Sequence, residues 1–356
     1  MANLLERGFW TKLKKPIIGL SPMDGVTDAA FRFVTDTYGH PAILFTEFTS
    51  VEGIVHGAGK LLSAFIHHKT ATPTVAQVFG ADPNGFYQVA FIVAELGFEG
   101  IDINMGCPDR SVAKKGGGAG LILQPKVAQE IVKKTRQGVE DWTNGKNIEE
   151  VKLPENIVAW VKQFGQSPIP RKILPISLKT RIGYDHIVTE SWIKNLLEAA
   201  PVNISLHGRT LKQMYTGKAD WEEIGKAAAL CQATGTTLLG NGDVKSIADA
   251  KEKIRTYNLD GVLIGRASFG NPWVFTGVEA DYKKRLLVAL EHCEALEKLI
   301  PDQPFITMRK HLAWYCRGFV GATAVRQKLV LVKNTEEVRQ IIFPILHATS
   351  EVAAGD

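Results

Sequence analysis

The sequence predicts an α/β fold, a (β/α)8 TIM barrel, followed by a small α-helical C-terminal domain. Three observations carry the prediction. Eight short apolar or β-branched runs closed by turn residues recur between residues 17 and 266. Amphipathic helical stretches separate most of them, with start-to-start spacings of roughly 25 to 35 residues. Polar residues gather at the C-terminal ends of the runs, where the βα loops of such a barrel converge on one face. About 250 residues for eight units suits a closed barrel, whereas an open doubly wound sheet normally has fewer units.

The predicted strands are Ile17–Met23, Ile43–Phe48, Thr74–Phe79, Gly100–Cys107, Ile176–Gly183, Asn203–Arg209, Thr237–Asp243 and Gly261–Arg266. Helical periodicity between them is clearest over Thr27–Tyr38, Gly85–Leu96, Pro125–Gln137, Thr189–Glu198 and Ile247–Tyr257. The interval between the fourth and fifth strands is about twice the others, so residues 141–173 are expected to be an inserted surface elaboration. That stretch contains Asn144-Gly145, a short helix over Pro154–Phe164 carrying Trp160, and a proline-rich exit over Ser167–Pro175. The spacing of Ile306, His311, Trp314 and Tyr315 predicts helices from about Glu279 onward. The expected division is therefore a barrel over residues 1–278 and a helical domain over 279–356.

With 45% hydrophobic and 22% charged residues, the composition is that of an ordinary globular protein and excludes disordered, collagen-like and coiled-coil chains. No apolar run approaches the ~20 residues of a membrane-spanning helix. The start MANLLERGFWTKLKK lacks a secretory signal's apolar core and cleavage site, so a cytoplasmic protein without a membrane partner is expected. Cys107, Cys231, Cys293 and Cys316 form no CxxC pair, so no metal site is expected, and the last three read as reduced structural thiols. A net charge of +5 is compatible with a polyanionic partner. A monomer is the expected state.

The strand ends suggest chemistry. Asn241-Gly242-Asp243 opens toward a helix beginning near Ser246, and Gly265-Arg266 adds close backbone approach and a cation. The loops after strands seven and eight are the usual phosphate cradle of such barrels. No GxGxxG follows the first strand, so a mononucleotide cofactor such as FMN fits better than a dinucleotide. Lys179 would stabilise the negative charge of a reduced flavin; without a ligand it would need a carboxylate such as Asp102 or Glu47. Gln77 can donate to and accept from a pyrimidine edge. Cys107, followed by Arg110, Lys114, Lys115 and the run Gly116-Gly117-Gly118-Ala119-Gly120, is expected as an exposed thiol on a mobile basic loop, acting as nucleophile or as general acid.

Seven motifs in order resemble the tRNA-dihydrouridine synthase family. They are Pro22-Met23-Asp24-Gly25-Val26-Thr27-Asp28, Gln77-Val78-Phe79-Gly80, Asp102-Ile103-Asn104-Met105-Gly106-Cys107-Pro108, Lys179-Thr180-Arg181-Ile182-Gly183, His207-Gly208-Arg209-Thr210, Asn241-Gly242-Asp243 and Gly265-Arg266-Ala267. The resemblance implies a flavin enzyme that reduces the C5–C6 double bond of particular uridines in tRNA, with NADPH recharging the flavin. By position, Pro22, Met23, Asp24, Gln77, Lys179, His207, Asn241, Gly242, Asp243, Gly265 and Arg266 would contact FMN. Cys107 would protonate C5 while the flavin hydride goes to C6. Asn104, Arg181 and Arg209 would surround the target base, and Arg309 and Lys310 would meet the RNA.

Residues 303–333 hold Arg309, Lys310, Arg317, Arg326, Lys328 and Lys333 with no acid, interleaved with His311, Trp314, Tyr315 and Phe319. Two readings stand here: a cationic patch with stacking aromatics for RNA, or a helix with an apolar core face and a solvated basic face. The segment Arg309–Tyr315 is most similar to the bacterial B-type branch, whose members modify position 17. Asp24 departs from the alanine many members carry there, and residues 141–173 match no counterpart in the resemblance. Two other functions compete: another FMN barrel acting on free pyrimidines, and a tRNA-binding protein whose catalysis is secondary.

Overall fold

The computed structural model describes residues 4–68, 70–165 and 169–347. Ser167 and Pro168, in the expected proline-rich exit, lie outside these residues. The strands are β1 (Ile17–Leu20), β2 (Leu44–Ser50), β3 (Thr74–Phe79), β4 (Gly100–Met105), β5 (Ile176–Arg181), β6 (Asn203–His207), β7 (Thr237–Asn241) and β8 (Gly261–Ile264). All pairings are parallel, in the order β1-β8-β7-β6-β5-β4-β3-β2. Ala42 N–H donates to the Ile18 carbonyl at 2.8 Å and Leu20 N–H to that of Ile43 at 3.0 Å. These bonds bring the two ends of the curled sheet together.

Helices α1 (Leu4–Arg7), α2 (Ala29–Gly39), α3 (Val51–Val55), α4 (Pro83–Glu95), α5 (Arg110–Lys114), α6 (Pro125–Thr143), α7 (Glu155–Phe164), α8 (Thr189–Glu198), α9 (Trp221–Thr234) and α10 (Ile247–Thr256) accompany the strands. Several starts sit where a side chain can satisfy the free N–H groups of the first turn. Asp28 accepts from Phe31 N–H at 2.8 Å, and Asp82 accepts from Asn84 and Gly85 with Pro83 at the first helical position. Helix α6 runs to Thr143, into the expected insertion. There Trp142 is buried and donates to Glu95 at 2.8 Å, and Ile148, Val151, Ile157 and Val161 join the main core. The stretch thus anchors one apolar face in the core, while Asn144, Glu149, Lys152, Asn156, Lys162 and Phe164 are exposed.

Side chains of a strand alternate between two faces. Ile101, Ile103, Met105, Leu178, Ile204, Leu206 and Leu238 belong to the main hydrophobic cluster with the helices. Their neighbours Asp102, Asn104, Ser177, Lys179, Ser205, His207 and Asn241 are left for the barrel interior. The interior is apolar at its base, where Trp10, Ile17, Phe45, Val75, Leu239 and Leu263 cluster, and polar toward the C-terminal ends of the strands.

Helices α11 (Tyr282–Leu299), α12 (Met308–Tyr315), α13 (Ala322–Leu329) and α14 (Thr335–His347) follow. Their buried residues, including Leu286, Cys293, Leu296, Met308, Leu312, Tyr315, Leu329, Val338 and Ile342, form one cluster with Ala29, Ala30 and Val34 of α2 and with Trp273. Gly270 has φ +60°, and a Cβ there would stand 2.4 Å from the Trp314 carbonyl, so this crossing of α12 over the barrel needs glycine.

Candidate active site

The polar strand ends enclose a cavity of about 480 Å3, within the size range of small-molecule and cofactor pockets. Pro22, Met23, Asp24, Gln77, Asn104, Cys107, Lys179, Arg181, His207, Arg209, Asn241, Gly242, Asp243, Gly265 and Arg266 all line it. Arg309 and Lys310 do not. Ser21, Val26, Phe48, Tyr215, Val244 and Phe269 also line it, and the sequence reading assigned none of them. The available signal was Tyr215, an aromatic in the polar stretch after β6; it stands 62% exposed at the mouth.

A chain of hydrogen bonds crosses the floor. Ser177 Oγ donates to Asp102 at 2.5 Å and Gln77 Nε2 donates to its other oxygen at 2.6 Å. Asn104 Nδ2 donates to Gln77 Oε1 at 3.1 Å, and Asn104 Oδ1 accepts from the N–H groups of Gly106 and Cys107 at 2.9 and 2.8 Å. Asp102 is fully buried; burial raises its carboxyl to about 6 against the pull of Ser177, Gln77 and Lys179. The network fixes the Gln77 amide and sets the turn that carries Cys107.

Cys107 is buried, not exposed as expected. The loop after it folds back: Ala119 N–H donates to the Cys107 carbonyl at 3.2 Å, and residues 116–122 are buried. Burial raises the thiol above its ordinary value of 9.0, reinforced by the charges of Asp109 and Asp24 and opposed by the Asp109 backbone and Arg181. The group facing the cavity at neutral pH is therefore a protonated thiol. A protonated thiol favours proton donation over nucleophilic attack.

Lys179 forms no salt bridge among the described residues, neither with Asp102, already occupied by Ser177 and Gln77, nor with Glu47. Burial and then the charge of Arg181, opposed by Asp102 and Cys107, lower its ammonium to about 8. His207 accepts at Nε2 from Arg209 at 3.3 Å. Burial, then Lys179, Arg181, Arg209 and Arg266, hold it well below its ordinary value, so it is neutral with its proton on Nδ1.

The two buried arginines spend donors on loop backbone. Arg181 donates to the carbonyls of Gly106 (2.7 Å), Thr210 (3.3 Å) and Met214 (3.2 Å), bridging the loop of Cys107 to that of Tyr215. Arg209 donates to Thr216 (3.2 Å), Gly217 (2.6 Å) and Asp243 (2.6 Å). Arg266 meets the other Asp243 oxygen at 2.8 Å. Burial raises the Asp243 carboxyl, but Arg209, the Ala219 N–H and Arg266 together bring it below its ordinary value. Gly242 has φ +126°, and a Cβ there would lie 2.6 Å from Ala219 and 3.1 Å from His207; glycine keeps this backbone open to the cavity.

Two of the interleaved aromatics are internal and two are half-buried. His311 and Tyr315 are buried, Trp314 stacks on Phe269 at 4.0 Å, and Phe319 stacks on Tyr282 at 4.9 Å. His311 and Tyr315 thus belong to an apolar core face, and Trp314 and Phe319 are half-buried against other rings. Arg309 donates to the carbonyls of Leu331 and Val332, each at 3.0 Å, and Lys310 donates to that of Gly25. Arg317, Arg326, Lys328 and Lys333 are exposed. Among the described residues no helix is long and apolar enough to cross a membrane, and no group of His, Cys, Asp and Glu could hold a metal ion.

Residues 19–145 and 151–350 match the sequence profile of the family described as Dihydrouridine synthase (Dus). A probable tRNA-dihydrouridine synthase of Staphylococcus epidermidis is 32% identical over 347 residues, 95% of this chain and 96% of the relative. One from Staphylococcus aureus is 33% identical over 95% of both chains. A probable tRNA-dihydrouridine synthase 2 of Bacillus subtilis is 31% identical over 95% of this chain and 96% of the relative. With its strand-end motifs gathered around one cavity and this match along nearly its whole length, the chain belongs to the dihydrouridine synthase family.

Proposed function

We propose that this protein is a tRNA-dihydrouridine synthase that uses FMN and NADPH to reduce the C5–C6 double bond of specific uridines in tRNA. The observation that carries the reading is a protonated thiol, Cys107, and a cation with no salt bridge among the described residues, Lys179, lining one cavity. The donor set suits an electron-rich, phosphate-bearing cofactor. Lys179, Gln77 and His207 would hold the ring system, and Pro22, Met23 and Asp24 the adjoining wall. The Asn241–Asp243 turn, Gly265 and Arg266 would take the phosphate through backbone N–H groups and the guanidinium. FMN held by these residues would supply hydride chemistry.

The chain's own residues do the rest. Hydride addition at C6 builds negative charge at C5 and the C4 carbonyl, and Cys107 Sγ–H delivers the proton to C5. The resulting thiolate lies in the field of Arg181 and takes a proton from solvent. The uridine must leave its stack to reach the cavity, at a cost of about a few kcal/mol. The Tyr215 ring at the mouth offers a planar surface to an extruded base. Asn104 positions Cys107 and presents its amide edge beside it. Arg181 and Arg209 shape the substrate-binding loops, and Arg309 and Lys310 orient α12. Residues 1–278 are the catalytic part and residues 279–356 the RNA-binding part of a monomeric cytoplasmic enzyme, with Arg317, Arg326, Lys328 and Lys333 facing the tRNA phosphates.

The test is mass-spectrometric mapping of dihydrouridine in tRNA from cells lacking the gene, complemented with wild type or with Cys107→Ala. Wild type should restore a modification lost on deletion. Cys107→Ala should keep the bound-flavin spectrum and lose about 100-fold or more in rate. Dihydrouridine unchanged by the deletion, with no redundant synthase present, would overturn the reading.

A further inference from the structure

We propose that the loop Cys107–Ala119 is a second RNA-backbone contact, through Arg110, Lys114 and Lys115, on the barrel side of the cavity mouth. The inference rests on the tRNA reading above and adds a surface that reading does not use.

The loop leaves Cys107 and returns to it. The Ala119 N–H bonds the Cys107 carbonyl at 3.2 Å, and a Cβ on Gly118 would lie 2.9 Å from Cys107 Cβ. At ~3.3–3.6 Å per residue, Arg110 is within about 11 Å of Cys107 along the chain, and Lys115 within about 14 Å of Ala119. The loop that carries all three cations is therefore tethered at both ends to Cys107.

These cations are exposed, and none has a salt bridge among the described residues. The carboxylate nearest in sequence, Asp109, is used by its own helix, accepting from Ser111 N–H, Ser111 Oγ and Val112 N–H. A separate cleft of about 510 Å3 lies against the loop, lined in part by Glu52, Phe79, Asp82, Val112 and Lys115. An unpaired cationic projection beside the reacting thiol fits a polyanion better than it fits the loop's own stability, because a cluster of like charges is self-repelling.

The experiment compares the flavin-loaded wild type with Arg110→Gln/Lys114→Gln/Lys115→Gln and the charge-preserving Arg110→Lys/Lys114→Arg/Lys115→Arg. KM for tRNA and kcat are measured over a salt series. The glutamine triple should raise KM roughly tenfold or more near ~0.15 M salt and reduce the log–log salt slope by ~2 to 3. Its flavin spectrum and kcat at saturating tRNA should be retained, and the charge-preserving triple should behave as wild type. An unchanged KM and slope, or a fall in kcat alone, would overturn the proposal. A wild-type protein that reduces no uridine in tRNA would instead overturn the underlying function.

Discussion

Replacing Lys179 by Met should make the flavin-free protein more stable. The lysine makes no salt bridge among the described residues, and its ammonium falls from an ordinary value of 10.5 to about 8 in the folded protein. At ~1.4 kcal/mol per tenfold, keeping it charged in the fold costs at most about 3 kcal/mol, and water in the cavity reduces this to about 1–3 kcal/mol. The sign follows from proton counts. Below pH 8 the lysine is protonated folded and unfolded, so the cost is complete. Between pH 8 and 10.5 the unfolded chain binds more protons, so wild-type stability rises with pH and the advantage of Met shrinks. Denaturant melts of flavin-free wild type and Lys179→Met at pH 7 and pH 9.5 measure both effects. In the loaded enzyme the same substitution should shift the flavin midpoint potential to more negative values, because it removes the cation facing the reduced ring. A variant no more stable than wild type at pH 7, or an advantage that does not shrink at pH 9.5, would refute the argument that this charge is held at a cost for the sake of a ligand.

Asn104→Ala removes the shared acceptor of the Gly106 and Cys107 N–H groups; kcat should fall at least tenfold in single-turnover assays, with flavin binding preserved. Gly270→Ala sets a methyl group against the Trp314 backbone and should destabilise the fold by about 2 kcal/mol or more in denaturant melts. Changing Arg317, Arg326, Lys328 and Lys333 together to Gln should weaken tRNA binding and flatten its salt dependence, with the flavin spectrum unmoved; an unaltered salt slope would remove these residues from the interface.

Much of this was legible because strand alternation and βα spacing are local signals. The strands begin where β-branched runs begin, at Ile17, Thr74 and Ile176, and their interior-facing alternate residues identify Gln77, Lys179 and His207 together. Strand ends were read too long because Asn241–Asp243 and Gly265–Arg266 are polar turns continuing an extended pattern. What stayed hidden were partnerships between distant residues. Arg181 and Arg209 read as cations for a substrate, yet their donors meet carbonyls of a loop whose path a sequence does not give. The burial of Cys107 depends on residues 116–122 folding back over it, and a glycine-rich run reads as mobile until it is seen packed. His311 and Tyr315 have the same spacing whether they face solvent or a neighbouring helix, and only their packing against Phe31 of α2 and His292 of α11 shows which.

The shared core of α2 with α11, α12 and α14 also sets the order in which this chain can finish folding on the ribosome. Ala29, Ala30 and Val34 emerge early, but the residues that cover them come roughly 250 positions later, which at about 5–20 residues per second is a wait of ~12–50 s. Through that interval α2 carries an uncovered apolar face, and β1 lacks its partner β8. The nascent chain therefore presents two adhesive surfaces, a sheet edge until β8 has been made and a helix face until α11 to α14 have been made. Its yield in the cell should depend on chaperone supply more than its finished stability suggests.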